Sequence, residues 1–517
     1  MKMIGWKKLD KVKKAALLKY AVIFAFPFLL CFLYCVFRGI NIFQLYLPNS
    51  HNNDSLFYYK LVEGILSDGI PRGFYGFNES RALVGSFAAW SPALLLPWTI
   101  WGFLFGWGYS SVFISNIVYF AIALTVFVYL TKMEWRNILF MFGVLVLYPS
   151  LPIHLLSALP EVVVASVMLL FFGFAIRAVR DEYPLWCTIP MFVCSIYLTV
   201  CRPYMIILVL LPCYYLIKAK VKGAYLYAGA LLVLGIVLYY LCNHFLTSAY
   251  FSPLFDVSAV KALLKGNLSE AFWLCVIYIK NMAVDVGRFI SGAFSYGLTA
   301  GTQYVVAAIV AIALSVFCFS KKEKEQRPAN IVFTITLWSV FAAIFLLLQK
   351  ANEGGRHVWV FTIVGCILIF CNKWSKKTVI FGIWLIGILG VFLMQGSMVP
   401  TDYDVPVMDE ALKSDVEYWE RIFTEKNISA GEQLSYDNTC VWVLTDGDRI
   451  TNHKELYALP EGMGISCCFA DYVTENLDVL KSGYIATVAG GDIDILCEQS
   501  GWTEIGRTEN VVVYQSH

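Results

Sequence analysis

The first four hundred residues alternate between long apolar runs and polar connectors. The runs lie at 20–37 and near 92–107, 109–130, 137–153, 161–176, 184–201, 203–217, 224–243, 302–319, 329–348, 357–371 and 378–396. A helix rises about 1.5 Å per residue and a bilayer's hydrocarbon layer is about 30 Å thick, so most of these runs read as crossing helices. Five connectors are short and basic: Lys132/Arg136, Arg177/Arg180, Lys218/Lys220/Lys222, Lys321/Lys322/Lys324/Arg327 and Lys373/Lys376/Lys377. The positive-inside rule places them in the cytoplasm. The connectors 38–91, 154–160, 244–301 and 349–356 are longer or acidic and fall outside. An odd number of crossings must then separate 38–91 from Lys132, yet two apolar runs do. The run 92–107 is interrupted by Pro92, Pro97, Gly102 and Gly106 and reads as re-entrant or interfacial, which leaves about eleven spans. Lys2, Lys7, Lys8, Lys11, Lys13 and Lys14 precede the first run, and no small-residue cleavage site closes it. That pattern predicts a retained signal-anchor with a cytoplasmic N-terminus.

The first long break, 51–92, carries Asp54, Lys60, Glu63, Asp68, Arg72, Glu79 and Arg81. Within 56–67, Lys60, Glu63 and Ser67 recur at helical spacing among Leu56, Phe57, Leu61, Val62 and Ile65, as in a helix lying in the interface plane. The 244–301 loop predicts one or two further interfacial helices, because Lys280, Asp285 and Arg288 interrupt it too often for a span. After residue 396 the character changes. Residues 402–517 are acid-rich and hold no run long enough to cross. A helix at 409–426, a strand at 439–445, a helix at 475–483 and strands at 484–490 and 511–515 predict a small α/β unit. It lacks a phosphate loop, a nucleophile elbow and metal-ligand spacing, so a structural or acceptor-handling role suits it. The fold class is an α-helical polytopic membrane protein, 1–400, with a small C-terminal extracytoplasmic α/β domain, 402–517.

Composition agrees. Of 517 residues, 59% are hydrophobic and 15% charged, against roughly 25% charged in soluble domains. A net charge of +2 gives no reason to expect nucleic acid or another anionic polymer. Eleven of fifteen cysteines sit in or beside apolar segments and act as small hydrophobes. Cys440, Cys467, Cys468 and Cys497 are an even set that permits disulfides without specifying them. There is no CxxC, and the six histidines show no HExxH spacing.

Chemistry then falls to the outer layer. Asp54 suits a helix N-cap, and a capping carboxylate can also reach a substrate. Glu79 and Arg81 lie in GFYGFNESRA, a turn by its glycines but dense in aromatics. Glu161 follows Pro160 at a helix start, where an acid is favoured. Several carboxylates at one membrane depth are expensive unless they work or are paired. Arg202, before Pro203, and Arg356–His357, after Gly354 and Gly355, are outer cations of the kind a phosphate needs, with the glycines offering close backbone approach to an anion.

An acid soon after the first span, in NDSLFYY…GFYGFNESRALVGSFAAWSP, resembles the GT-C superfamily of integral-membrane glycosyltransferases, in particular a bacterial subgroup. Glu161, the 244–301 loop, Arg356 and the outer domain are similar to the same plan. The chain has Asn53-Asp54 where many relatives have paired acids, and Glu161 where others often have Asp. The resemblance implies a polyprenyl-phosphate sugar donor, an extracytoplasmic glycan, lipid or protein acceptor, and a plasma-membrane location. It also implies Asp54 as base with Glu161 and Glu79 as further acids. Arg356, His357, Arg202 and Arg81 would hold the donor phosphate, and a divalent cation (Mg or Mn), where used, would sit on Asp54 and Glu161. The rival readings are a transporter or flippase, with ionisable groups mid-span and inverted repeats, and a non-catalytic scaffold that tolerates change at Asp54.

Overall fold

The computed structural model describes residues 2–49, 54–69, 78–79, 92–246, 256–296, 299–319, 324–349, 351–372, 376–394, 405–431 and 435–516. Among these, seven helices are long and apolar enough to cross a membrane: Lys13–Phe37, Ser111–Thr131, Glu161–Arg180, Ala224–Leu241, Arg327–Leu348, Gly354–Cys371 and Lys376–Met394. Five shorter apolar helices accompany them.

One of the short ones bears on the run 92–107. The run 92–107 folds as a 3₁₀ turn, Pro92–Leu95, and the ten-residue helix Leu96–Phe105. Ten residues span only about 15 Å. Buried Trp98 donates its indole N–H to Asn116 Oδ1 at 2.9 Å, and Gly102 sits under Leu66 of the Asp54–Asp68 helix. Run 137–153 differs from its reading as one span. Helix Trp135–Val146 stops, and Ser150–Leu155 starts a separate short helix after Pro149, which cannot donate to a continuing ladder.

The ends of the bundle segregate. Arg180 bonds the Leu130 and Thr131 carbonyls and pairs with Glu325 at 2.8 Å. Asn137 donates to the Phe370 and Asn372 carbonyls, and Asn330 to Asn372 Oδ1. Lys19 donates to Met133, and Tyr183 meets Tyr215, 5.1 Å between ring centroids. The basic connectors and the N-terminal helix therefore share one end, and the acids of interest open helices at the other.

The 244–301 segment provides two helices, Ser258–Leu264 and the 29-residue Leu268–Tyr296. The C-terminal unit is α/β. Its strands are β1 (Thr439–Val443), β2 (Thr445–Asp446), β3 (Arg449–Ile450), β4 (Gly464–Cys468), β5 (Tyr484–Val488), β6 (Thr503–Arg507) and β7 (Val511–Gln515). The main sheet runs β4-β1-β5-β7-β6, parallel across β4-β1-β5 and antiparallel through β7 and β6. β1 shows why both faces are covered. Cys440 and Trp442 point to one apolar cluster, Val441 and Val443 to another, as strand alternation requires. Cys440, Cys467, Cys468 and Cys497 are buried free thiols.

The unit is no loose appendage. The cluster on the Trp442 face also contains Leu56, Phe57, Tyr59, Trp98 and Val163 from the membrane body. Lys60, buried, donates to the Leu459 carbonyl at 2.5 Å and pairs with Glu63 at 2.7 Å. The amphipathic helix Asp54–Asp68 is thus clamped between the spans and the sheet unit.

Candidate functional site

Four helix ends meet at the end of the bundle away from the basic connectors. Asp54 opens the clamped helix Asp54–Asp68. Glu161 opens Glu161–Arg180, behind Pro160, where a carboxylate offsets the helix's positive end. Arg202 caps Leu185–Cys201 in an extended conformation (φ −146°, ψ 111°), as a residue before proline prefers. Arg356 and His357 lie in the second turn of Ala351–Cys371. Asn49 steadies the Glu161 side by donating to the Ile153 carbonyl at 2.7 Å, and Asn116 by donating to Ser157.

The charges pair crosswise. Arg356 Nη1 meets Asp54 Oδ2 at 2.6 Å, and Arg202 Nη2 meets Glu161 Oε1 at 3.1 Å. Glu161 and Arg202 are each 4% exposed. Glu161 Oε2 is buried with no hydrogen-bond partner among the described residues. Tyr204 shares a 2.8 Å hydrogen bond with His357 Nδ1. Tyr58, one turn after Asp54, is buried beside both pairs. Burial first, then the Asp54 and Glu161 carboxylates, push its phenol's pKa up, so it stays a neutral hydroxyl.

Asp54, Glu161, Arg202, Arg356 and His357, all singled out in the sequence, are therefore brought together. Tyr58 and Tyr204 were missed. The signals were available: Tyr58 stands four residues after Asp54, on the same helix face, and Tyr204 two after Arg202. Arg81 lies outside the described residues. Glu79 goes elsewhere. Its carboxylate accepts from Lys481 N (2.9 Å), Ser482 N (2.8 Å) and Ser482 Oγ (2.5 Å) on the C-terminal unit. Asn78 beside it accepts from Phe469 N at 3.0 Å. Both residues take a left-handed backbone, φ 57° and 30°, that these bonds hold. Glu79 is a clasp, not a group poised for reaction. The glycine argument also changes. A Cβ at Gly354 would stand 2.5 Å from the Tyr304 hydroxyl and 2.7 Å from Ile344, so this glycine permits helix packing rather than anion approach.

Fold and site together define an α-helical multi-pass membrane protein with two carboxylate–arginine pairs at one end and an α/β unit packed against the Asp54–Asp68 helix. No protein-family model and no curated protein matches the chain. Among solved structures it is similar to ArnT from Cupriavidus metallidurans bound to undecaprenyl phosphate: TM-score 0.49, 10% identity, 96% of this chain and 97% of that one. It is also similar to the oligosaccharyltransferase of Archaeoglobus fulgidus in the apo form: TM-score 0.48, 10% identity, 91% and 69%. AglB from the same organism, in complex with an inhibitory peptide and a dolichol-phosphate, gives TM-score 0.45 at 11% identity, covering 96% and 74%.

Proposed function

We propose that the protein is an inverting glycosyltransferase that moves a sugar from a polyprenyl-phosphate donor to an acceptor at the outer face of the plasma membrane. The observation that carries this reading is the crosswise pairing of Asp54 with Arg356 and Glu161 with Arg202. Two guanidiniums, Arg202 buried and Arg356 a quarter exposed, beside two carboxylates supply both halves of the chemistry: charge for a departing phosphate and a base for an arriving hydroxyl.

The donor's lipid stays in the bilayer while its phosphate enters between Arg356 and Arg202, with His357 and Tyr204 as neighbouring donors. Sharing Arg356 with the phosphate loosens its hold on Asp54 and leaves that carboxylate more basic. The acceptor oxygen attacks the anomeric carbon from the face opposite the phosphate. Asp54 takes the hydroxyl proton, the new glycosidic bond forms with inversion, and the bond from carbon to phosphate oxygen breaks. The electron pair leaves with the polyprenyl phosphate, and the arginines stabilise it in a site largely closed to water. The donor set also suits a hard cation: Glu161 Oε2 is an unbonded buried oxygen, and Asp54 is the second carboxylate. A Mg²⁺ or Mn²⁺ held there would add positive charge for the leaving phosphate.

Transport would call for ionisable groups deep within the spans. Ser111–Thr131 and Leu185–Cys201 contain none, and the charges of Glu161–Arg180, Arg327–Leu348 and Lys376–Met394 stand near their ends. The test is binding of undecaprenyl phosphate and dolichyl phosphate to purified protein. Saturable binding, weakened by Arg356→Ala and kept by Asp54→Asn, supports the reading. Absence of binding to either lipid sinks it.

A further inference from the structure

The helix Asp54–Asp68 has a second working face. Asp54 and Tyr58 look into the charge cluster. Tyr59 and Glu63, rotated about 140° around the axis, line a separate cavity of about 360 Å³ against the C-terminal unit. That volume lies in the range of small-molecule sites, roughly 300–1,000 Å³. Its walls are aromatic and acidic. Tyr59 stacks against Trp107 at 5.5 Å and meets Tyr457 at 5.0 Å, while Tyr109 stands 6.2 Å from Tyr457. Glu420 and Glu461 lie at the exposed rim, with Tyr109 donating to Glu420 at 2.5 Å. Among the described residues no lysine or arginine lines the cavity; nearby Lys60 is consumed by Glu63 and the Leu459 carbonyl. Trp107 carries a buried indole N–H with no hydrogen-bond partner among the described residues.

These features select one ligand chemistry. A sugar ring has apolar C–H faces that pack on aromatic rings and a hydroxyl edge that needs acceptors, which carboxylates provide. The idle indole donor suits a ring or hydroxyl oxygen. Carboxylates without a free cation repel phosphorylated or uronic-acid sugars. Tyr59 is five residues from Asp54, about 8 Å along the axis and about 140° around it, so an oligosaccharide that reaches around the helix, not a single sugar, connects the cavity to the proposed base. We infer that this cavity is the acceptor subsite and that it takes a neutral or amino-sugar glycan. The inference rests on the glycosyltransferase reading for its role, though not for its ligand.

The test uses full-length protein in nanodiscs and saturation-transfer NMR with three probes: an N-acetylglucosamine trisaccharide, a glucosamine trisaccharide and trigalacturonate. Undecaprenyl phosphate binding is measured in parallel. One of the first two probes should saturate, with trigalacturonate failing to compete. Trp107→Ala should weaken saccharide binding roughly tenfold, the scale of an aromatic contact worth about 1.4 kcal/mol, and leave lipid binding unchanged. Glu461→Gln, at an exposed position that leaves packing intact, should also weaken it. Failure of every saccharide to saturate, equal binding of trigalacturonate, or an oligolysine peptide binding in their place each overturns the inference. Lipid binding without saccharide binding removes only the subsite. Saccharide binding without lipid binding removes the transferase reading and leaves a sugar site.

Discussion

Glu79 and Glu161 are two buried carboxylates that the structure treats in opposite ways. Around Glu79 the hydrogen bonds among the described residues are all neutral and reach both oxygens: two backbone N–H groups and one hydroxyl donate to them. Around Glu161 one oxygen faces Arg202 and the other faces nothing among the described residues. A carboxylate whose lone pairs are filled by main chain has been used to hold two segments together. A carboxylate left half-filled beside an arginine is held at a cost, and that cost is tolerated where a substrate supplies the missing partner. Asp54 differs from Glu79 in the nature of its partner, pairing with the Arg356 guanidinium where Glu79 takes main-chain N–H groups.

The sharpest break of that comparison is Asp54→Asn. The amide keeps the shape and can still cap the helix, but it cannot take a proton. Transfer from a polyprenyl-phosphate sugar should fall by roughly 10²–10⁴, the worth of a positioned base, with a smaller loss of stability than a fully buried pair would show, because Arg356 is a quarter exposed. A variant that keeps full turnover would return Asp54 to a cap.

Next comes the Glu161–Arg202 pair. Removing one buried partner strands the other charge, so Arg202→Met should cost about 3–5 kcal/mol in denaturant unfolding. Glu161→Met with Arg202→Met should recover most of that stability and none of the activity. If the double variant remained as unstable as the single, the pair would be structural, like Glu79.

How much of this could be read from the sequence differs by region for a physical reason. The helix Asp54–Asp68 was legible because its pattern is local, but the polar stripe of Lys60 and Glu63 is buried against the C-terminal unit. Strands at 439–445, 484–490 and 511–515 were legible by their β-branched and aromatic runs; β5 ends at Val488, before Gly490 turns with φ 71°. β4, Gly-Ile-Ser-Cys-Cys, and β6, Thr-Glu-Ile-Gly-Arg, lack that signature and are strands because neighbours complete their ladders. The helix read at 475–483 lies earlier, at Ala470–Asn476, continuing as a 3₁₀ turn through Val479. Gly354-Gly355 reads as loop by propensity, yet helix Ala351–Cys371 runs through it because close packing on Tyr304 and Ile344 outweighs the glycine penalty. The ion pairs join residues 302 and 41 positions apart, which no local pattern encodes.

Acid should act on the C-terminal unit. His453 is 7% exposed, and burial, with Lys454 adding, lowers its pKa to about 4. Between that value and the ordinary 6.5, the unfolded chain holds a proton that the native one does not. This contribution is complete above pH 6.5 and is lost as pH falls toward 4, about 3 kcal/mol in all. Hydrogen exchange of β1 and its neighbours should rise over this window, and His453→Gln should flatten the response.

The smallest effect belongs to Glu79→Gln, and it is the one that tests the clasp. A glutamine keeps one acceptor oxygen but turns an NH₂ toward a site made only of donors. At least one of the bonds from Lys481 N, Ser482 N or Ser482 Oγ must then fail, costing about 1–3 kcal/mol. The loss should appear as earlier melting or protease cutting near residues 78–82 and 481–482. Turnover per folded molecule should stay at the wild-type level, because Glu79 touches neither ion pair. Should turnover fall tenfold or more while folding holds, a filled carboxylate would be catalytic after all, and hydrogen-bond completeness would no longer separate the two kinds of acid in this molecule.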